Sequence, residues 1–487
     1  MKKIGVIGSG FSSLAAAAFL AKAGNEVHVF EKNERFGGRC SKFETDGFLF
    51  DMGPSWYWMP EVFENFFKSF GKSPNDFYEL KRLDPSYEVV FGPDDKVAMP
   101  ADYEALKQLF ESMEPGSGAQ LDKFLEEAEY KYKVGMQEFV WKPGNSIMEF
   151  ADLRVLTSLF KLDMLTSVAT VVDRMFKDSR IRKILKFPVL FLGATPEKTP
   201  ALYTLMNYAD LKLGTWYPIG GMHKIIEGMM AVCKDQGVKF YSNAEVISIG
   251  VNDGVATNLQ LKDQLVDGFD YIVSGADYHH TEQRLLDKTW RTYDEAYWDK
   301  RTMAPSSLLF YIGLNTQLKD ATHHTLFFDR DFSLHAHEIY EDAKWPTDPL
   351  FYMCAPSVTD HLVAPEGHEN IFLLMPLAPG IEDNEQLREA YFTRISDRLS
   401  AHYGLDFRSH IVFKKSFCIN DFEKDYFAYK GNAYGLANTL KQTAFLKPKI
   451  KSKKVKNLYF TGQLTSPGPG MPPSIISGEV VAKMITS

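Results

Sequence analysis

Short apolar runs alternate with an alanine-rich segment at the amino end of the chain. Residues 3–7 and 27–30 are apolar and β-prone, while residues 12–23 are rich in Ala and Leu and are followed by Gly24. Short apolar runs are typical of buried strands, and helices often end at a glycine. The pattern predicts a β-α-β unit at the start of the chain.

The middle of the chain has a different period. From about residue 104 to residue 192 apolar residues recur at helical spacing, as at Val168, Val171 and Val172, which predicts a helical insertion. Short strands are predicted next at residues 238–241, 245–250 and 271–274. Between residues 306 and 377, β-rich runs separated by Pro, Gly and Asp predict a separate sheet.

Composition and charge exclude several classes of protein. The chain has 487 residues, of which 45% are hydrophobic and 24% charged, with a net charge of -8. This is a globular composition, and it lacks the basic excess that nucleic-acid binding requires. We expect a chain of several interleaved domains that binds small molecules rather than nucleic acid.

The cysteines and the apolar runs indicate the compartment. Cys40, Cys233, Cys354 and Cys418 lie far apart without CxxC or metal-ligand spacing, which predicts reduced, buried thiols and no metal site. No run reaches the roughly 18 to 20 apolar residues that span a bilayer. We therefore expect a cytoplasmic protein whose membrane contact, at the inner face, is peripheral.

A glycine turn joins the first predicted strand to the first helix. Gly8 and Gly10 permit a tight turn there, and Ser13 stands at the third small position of a GxGxxG pattern. Glu31 follows Gly8 by 23 residues, at the end of the second strand, where an acidic side chain accepts hydrogen bonds from a ribose. The pattern predicts a dinucleotide site with its pyrophosphate at the helix N-terminus.

A second element follows Glu31. Gly37 and Gly38 precede Arg39, and the string FDMGP begins at Phe50. An arginine near a pyrophosphate pairs its fixed fork of donors with phosphate oxygens. These residues resemble the FAD-containing amine oxidase and phytoene desaturase superfamily, in which such a GG-R element lies along the dinucleotide.

The carboxyl end extends the resemblance. NLYFTGQ at residues 457–463 reads as a buried strand, and PGPGMPP at residues 467–473 leads to a helix predicted over residues 474–485. With GNAYGL at residues 431–436 and WYPIGGM at residues 216–222, the chain is similar to the bacterial phytoene desaturases of the carotenoid oxidoreductase family. The segment after the last strand, residues 462–468, departs from the usual GAGTHPG-like string of that family.

The resemblance implies an α/β fold and FAD. The implied fold is a Rossmann-type FAD-binding domain of the glutathione-reductase kind, with a β-sheet substrate domain and a helical insertion. Its implied ranges are 1–60, 213–295 and 411–487 for FAD binding, 61–103 and 296–410 for the substrate domain, and 104–212 for the insertion. The implied FAD-binding residues are Gly8, Gly10, Ser13, Glu31, Arg39, Val246, Gly462, Gln463 and Met471.

The same resemblance implies desaturation of phytoene toward lycopene, with hydride passing from an allylic C–H bond to the flavin. Electrons would then pass to oxygen or a membrane quinone. His323 and His324 resemble an HHT string of these enzymes, but adjacent histidines are usually structural or at the surface, so no catalytic residue is assigned. Three alternatives stay open: another carotenoid desaturase, ketolase or isomerase; an amine oxidase; and a non-catalytic flavin-bound carotenoid-binding protein.

The expected partner is a long apolar polyene. Helices over residues 153–176, with Lys161, Arg174 and Lys177, either meet a membrane surface or pack between domains. A lysine-rich stretch at residues 447–456 is interpreted as a solvated loop that could also assist membrane binding. The sequence does not indicate an oligomeric state.

Overall fold

The computed structural model describes residues 1–144, 166–439, 442–443 and 446–487. The helices are α1 (Phe11–Lys22), α2 (Pro60–Lys68), α3 (Tyr103–Met113), α4 (Ser117–Val134), α5 (Val168–Met175), α6 (Ser179–Lys186), α7 (Leu205–Tyr208), α8 (His223–Asp235), α9 (Tyr278–His280), α10 (Glu295–Asp299), α11 (Phe332–Tyr340), α12 (Glu385–Tyr403), α13 (Ile419–Tyr426) and α14 (Met471–Thr486). The strands are β1 (Lys3–Ile7), β2 (Glu26–Phe30), β3 (Lys42–Thr45), β4 (Phe48–Asp51), β5 (Leu80–Arg82), β6 (Tyr87–Gly92), β7 (Asp95–Met99), β8 (Trp216–Pro218), β9 (Lys239–Tyr241), β10 (Val246–Asn252), β11 (Val255–Leu261), β12 (Leu265–Asp267), β13 (Tyr271–Ser274), β14 (Ser306–Leu314), β15 (His324–Phe327), β16 (Phe351–Cys354), β17 (Glu369–Leu377), β18 (Ile411–Phe417) and β19 (Leu458–Phe460).

A five-stranded parallel sheet organises the nucleotide-binding part. Its strand order is β19-β13-β1-β2-β9, and each neighbouring pair is parallel. Parallel sheets are covered on both faces, which explains why these strands read as apolar runs. The predicted β-α-β unit is confirmed: β1, α1 and β2 follow one another, and β1 pairs with β2 from Lys3 to Ile7.

Helices α1 and α14 pack closely beside this sheet. A Cβ on Gly478 would lie 2.2 Å from the backbone oxygen of Ser12, so only glycine permits this approach. Helix α14 begins at Met471, three residues before the predicted start. Pro472 and Pro473 occupy its first turn, where the missing amide donors cost no hydrogen bond.

A seven-stranded sheet forms the second layer, in the order β18-β14-β17-β16-β15-β6-β7. Strand β14 is buried along its whole length. Its side chains alternate, so that Phe310 and Ile312 pack in a cluster with Phe392 and Ile395 of α12, while Leu309 on the other face lines a cavity.

One predicted boundary falls inside this sheet. Strand β18, residues 411–417, was assigned to the third FAD-binding segment, but it pairs with β14 from Leu309 to Leu314. The substrate sheet therefore extends past residue 410. The buried central strand β14 needs a partner on both edges, and β18 supplies the second.

The described part of the insertion is helical, with α3 to α7 between residues 103 and 208. Residues 145–165 lie outside the described residues, including Lys161 and most of the range suggested to meet a membrane. Arg174 and Lys177 are exposed. Among the described helices, none combines the length and apolar character needed to cross a bilayer.

Two expectations about single residues have clear outcomes. All four cysteines are buried and unpaired, as predicted. The lysine-rich stretch is not uniformly solvated, because Lys447 is only 3% exposed. Its Nζ donates to the backbone oxygen of Pro467, 20 residues further along the chain, at 2.8 Å, a contact that local charge patterning does not reveal.

Candidate functional site

A cavity of about 1020 Å³ lies between the two main sheets and the helical insertion. Of the nine predicted FAD-binding residues, eight line it: Gly8, Gly10, Glu31, Arg39, Val246, Gly462, Gln463 and Met471. They come from segments more than 400 residues apart in the chain. Folding therefore brings together the two ends of the sequence around one cavity.

The glycine turn forms one end of this cavity. Gly8 has a φ of +88°, in the left-handed region that favours glycine. It leads into the N-terminus of α1, whose free backbone amides bind anionic groups. Glu31 is buried, and its Oε2 accepts hydrogen bonds from the backbone nitrogen and Oγ of Ser9, at 3.1 and 2.6 Å. This holds the carboxylate beside the turn.

Arg39 supplies the positive charge. Its Nε is buried without a hydrogen-bond partner, and burial lowers the pKa of its guanidinium. When the Gln463 amide is oriented with its oxygen toward Arg39, Nη2 of Arg39 donates to that oxygen at 3.0 Å. A buried guanidinium with an unused donor at the cavity wall fits a pyrophosphate, whose oxygens accept such bonds.

Ser13 is the predicted residue that does not line the cavity. It is fully buried, and its Oγ packs against Gly275, 2.0 Å from where a Cβ would stand. The small side chain at this position lets α1 approach the end of β13. Its contribution is therefore to helix-strand packing.

The nucleotide end also contains residues that the sequence analysis did not identify. Lys32 and His280 line the cavity near Val246, and both contact the ring of Phe427. Burial lowers the pKa of Lys32 and that of His280 to about 4, so His280 is neutral at pH 7. These residues adjoin one another only through tertiary contacts, so no local motif marks them.

The second predicted turn borders the middle of the cavity. The backbone nitrogen of Gly462 donates to Ser477 Oγ at 3.1 Å, and Met471 begins α14 at the cavity wall. Because Pro472 and Pro473 carry no amide hydrogen and the Ser474 nitrogen donates to Gly470, the amide of Met471 is the first-turn donor left for a flavin carbonyl. Lys447 lies behind the turn, and burial lowers its pKa to about 7.

The far end of the cavity is apolar and aromatic. The side chains that line it include Trp56, Trp58, Met136, Met206, Tyr352, Phe372 and Leu374. Among the described lining residues, the carboxylates are Glu31, Glu245, Asp277 and Asp425. Lys32 interacts electrostatically with Glu31, Glu245 and Asp425. Arg39 interacts in the same way with Asp277. All four carboxylates therefore lie at the nucleotide end.

His323 and His324 lie in the protein interior, behind the cavity wall. His324 stacks on Trp56 with ring centroids 4.2 Å apart, and its Nδ1 lies 2.7 Å from the hydroxyl of Tyr352. Burial lowers the pKa of His323 to about 3 and that of His324 well below its usual value. Both rings are therefore neutral at pH 7, and neither lines the cavity.

The sheet order, the glycine turn and the cavity define a dinucleotide-binding oxidoreductase of the α/β class. A family described as flavin containing amine oxidoreductase matches residues 11–486, so the chain belongs to that family. This membership confirms the predicted fold class and cofactor. The residues fit FAD: the glycine turn and Arg39 suit the pyrophosphate, Glu31 suits a ribose, and the Met471 amide at the start of α14 suits a flavin carbonyl.

Individual relatives are similar over nearly the whole chain. A carotenoid 3,4-desaturase of Haloarcula japonica is 40% identical over 482 residues, covering 99% of this chain and 97% of that protein. A 4,4'-diapophytoene desaturase (4,4'-diaponeurosporene-forming) of Staphylococcus aureus is 33% identical, covering 98% and 97%.

Solved structures share the fold. An oxidoreductase from Methanosarcina mazei has a TM-score of 0.65 at 16% identity, covering 99% of this chain and 100% of that chain. A putrescine oxidase bound to putrescine has a TM-score of 0.62 at 13% identity, covering 99% and 98%. At these identities the likeness concerns architecture alone.

Proposed function

We propose that this protein is an FAD-dependent desaturase of carotenoids, an oxidoreductase acting on CH-CH groups. The observation that carries the proposal is the single cavity that joins a dinucleotide site to an apolar, aromatic chamber. A chamber of this kind suits a long hydrocarbon, because its described lining offers mainly apolar contact and no carboxylate. Similarity to a carotenoid 3,4-desaturase and a diapophytoene desaturase supports the same substrate class.

The chain's own residues bind, orient and shield the reactants. Gly8, Arg39 and Glu31 would hold the dinucleotide, and the Met471 amide at the start of α14 would donate to a flavin carbonyl. Aromatic side chains such as Trp56 and Phe372 exclude water and hold the polyene in place. When bound, the flavin accepts a hydride from an allylic C–H bond.

The particular reaction has two candidates. The first is desaturation of phytoene toward lycopene, as the sequence motifs suggest. The second is the 3,4-desaturation of a longer conjugated carotenoid, favoured by the 40% identity to an enzyme of that name.

Oxidation of a small amine fits the cavity less well. An ammonium group entering the apolar end would find no carboxylate among the described residues there, since all four lie at the nucleotide end. Desolvating a cation without a partner is costly. A non-catalytic carotenoid-binding protein has the same cavity but gives no product.

Expression in cells that accumulate phytoene, and separately in cells that accumulate lycopene, tests the proposal. Pigments are extracted, separated and identified by their absorption spectra and masses. New double bonds in products from either strain support desaturation, and the strain that yields them decides between the candidates. Bound FAD with unchanged pigments in both strains would contradict carotenoid desaturation.

We propose further that the protein is cytoplasmic and takes its substrate from the inner membrane surface. Exposed Arg174 and Lys177 support contact with anionic lipid headgroups. Sedimentation with vesicles containing anionic lipid, compared with neutral vesicles, tests this. Binding only to the anionic vesicles is expected, and no binding to either would contradict it.

A further inference from the structure

Two histidines and a cysteine meet behind the wall of the apolar chamber. His324 begins β15 and pairs with Cys354 at the end of β16, while His323 precedes the strand. One ring nitrogen of each histidine and the Cys354 sulfur lie within 4.8 Å of one another, and all three residues are buried. Cys354 follows His324 by 30 residues, so strand pairing rather than a sequence motif brings this cluster together. None of the three lines the large cavity.

Each ring in the cluster is held through one nitrogen. Nδ1 of His323 lies 2.8 Å from Thr359 Oγ1, and Nδ1 of His324 lies 2.7 Å from the hydroxyl of Tyr352. Nε2 of both rings is buried without a hydrogen-bond partner among the described residues. Buried polar atoms are nearly always paired, whereas a metal-binding histidine uses one nitrogen for the ion and the other for an orienting hydrogen bond. The two unpaired nitrogens therefore fit two metal ligands.

The protonation of these groups also suits a cation. The Tyr352 hydroxyl donates to Ser55 Oγ at 2.9 Å, so its oxygen accepts from Nδ1 of His324, and the lone pair of that ring is on Nε2. Both imidazoles are neutral at pH 7 because burial lowers their pKa values, and the neutral ring is the form that binds metals. Burial raises the pKa of the Cys354 thiol to about 12, so its proton leaves when a cation replaces it.

The donors and their charge select the kind of metal. A thiolate with two imidazoles suits a soft ion and not calcium or magnesium, which take oxygen ligands. Structural zinc is almost always held by four ligands, and the described cluster supplies three. Asp51, which interacts electrostatically with Cys354, is already bound by two backbone amides at the start of α8. Copper(I) with one thiolate is neutral, whereas zinc would leave a buried positive charge, which is costly.

We propose that His323, His324 and Cys354 bind one copper(I) ion in a trigonal site. Donor atoms around such an ion stand about 3.5 to 4 Å apart, so side-chain shifts of about 1 Å bring these three into range. On binding, the Cys354 S–H bond breaks, a Cu–S bond forms and the proton passes to solvent. The oxidation state of copper does not change.

The ion would stiffen the wall of the chamber. It would link β15 to β16 through His324 and Cys354. Trp56 stacks on the His324 ring with centroids 4.2 Å apart, and Tyr352 contacts the same ring through its hydroxyl. Both of these aromatic side chains line the chamber, so fixing the imidazole also fixes them. The binding site itself does not depend on the proposed desaturation.

The test measures copper binding by the FAD-loaded protein. Without oxygen and at pH 7, the protein is titrated with a copper(I) salt in competition with bicinchoninate, a coloured chelator, and X-ray absorption identifies the ligands. We expect one ion per chain, with one sulfur and two nitrogen neighbours. Cys354→Ser should weaken binding at least about hundredfold. Thr359→Val removes the hydroxyl that orients His323 and should weaken binding about tenfold.

A second buried thiol provides the matched control. Cys233 lies on α8, and its sulfur donates to the backbone oxygen of Leu14 at 3.3 Å, so Cys233→Ser should leave copper affinity unchanged. Retained FAD shows that each variant is folded. Copper(I) should also raise the Tm of the wild type, because it binds the folded state, but not that of Cys354→Ser.

Three results would overturn the copper site. The first is a wild type that binds no copper(I) in competition with the chelator. The second is binding that Cys354→Ser leaves unchanged, or an absorption spectrum without a sulfur neighbour. The third is one zinc ion bound in preference to copper(I). None of these results bears on whether the flavin oxidises a carotenoid, so they leave the proposed function as it stands.

Discussion

At the scale of single residues, the dinucleotide site depends on a few charged groups in a buried setting. Arg39 keeps an unused buried donor at the cavity wall, and hydrogen bonds to charged groups contribute about 1.5 to 3 kcal/mol. We expect Arg39→Met to weaken FAD binding by at least about tenfold, measured by titrating cofactor-free protein with FAD.

A surface guanidinium provides the comparison for Arg39. Arg408 is 44% exposed and pairs with Asp397, so Arg408→Met should leave FAD affinity unchanged. Equal affinities for wild type and Arg39→Met would remove Arg39 from the site.

Lys447 gives a prediction about stability and pH. Because burial lowers its pKa from 10.5 to about 7, the unfolded chain binds this proton more tightly than the folded one. The free-energy cost of burying the charged lysine is complete below about pH 7 and vanishes above the unfolded pKa of about 10.4. Lys447→Met should therefore stabilise the cofactor-free protein by about 4 kcal/mol at pH 7, and by little at pH 10.5, in urea unfolding experiments.

Exposed Lys456 is the control in the same stretch. Lys456→Met should change stability by less than about 0.5 kcal/mol at either pH. If Lys447→Met raises the free energy of unfolding equally at both pH values, removal of the buried charge is not the cause of the stabilisation.

At the scale of elements, a buried ion pair ties α12 to its neighbours. Arg388 donates to both carboxylate oxygens of Asp383, at 2.7 and 2.6 Å, and also pairs with Asp421 on α13. Removing one partner of a buried pair costs about 3 to 5 kcal/mol. Arg388→Met should lower the free energy of unfolding by that amount, whereas Arg394→Met on the exposed side of the same helix should have little effect. Equal free energies of unfolding for these two variants would contradict a stabilising role for the buried ion pair.

The sequence predicts elements well where local spacing determines them. The Gly8 turn, Glu31 and the strands at residues 3–7 and 271–274 follow from short motifs and apolar runs, and the structure places them as expected. The Tyr352–His324 contact could not be predicted, because it depends on the pairing of β15 with β16. The membership of β18 in the second sheet likewise depends on a partner about 100 residues earlier.

At the scale of the whole molecule, FAD should hold distant segments together. The cavity is lined by described residues that lie within 7–59, 245–285 and 425–439 and by others up to Ile476, so a bound cofactor stabilises contacts between both chain ends. Free FAD at about one hundred times its Kd should stabilise the protein by about 2.7 kcal/mol. Thermal unfolding with and without FAD measures this, and an unchanged Tm would contradict a cofactor site that spans these segments.

We expect the cavity to oxidise a carotenoid by means of its bound flavin. The most direct test mixes the purified FAD-loaded protein, without oxygen, with a carotenoid in vesicles or with a series of amines, and records the flavin spectrum. We predict that the carotenoid, whose absorption moves to longer wavelength, reduces the flavin and that the amines do not. Reduction by an amine, with the carotenoid unchanged, would contradict it.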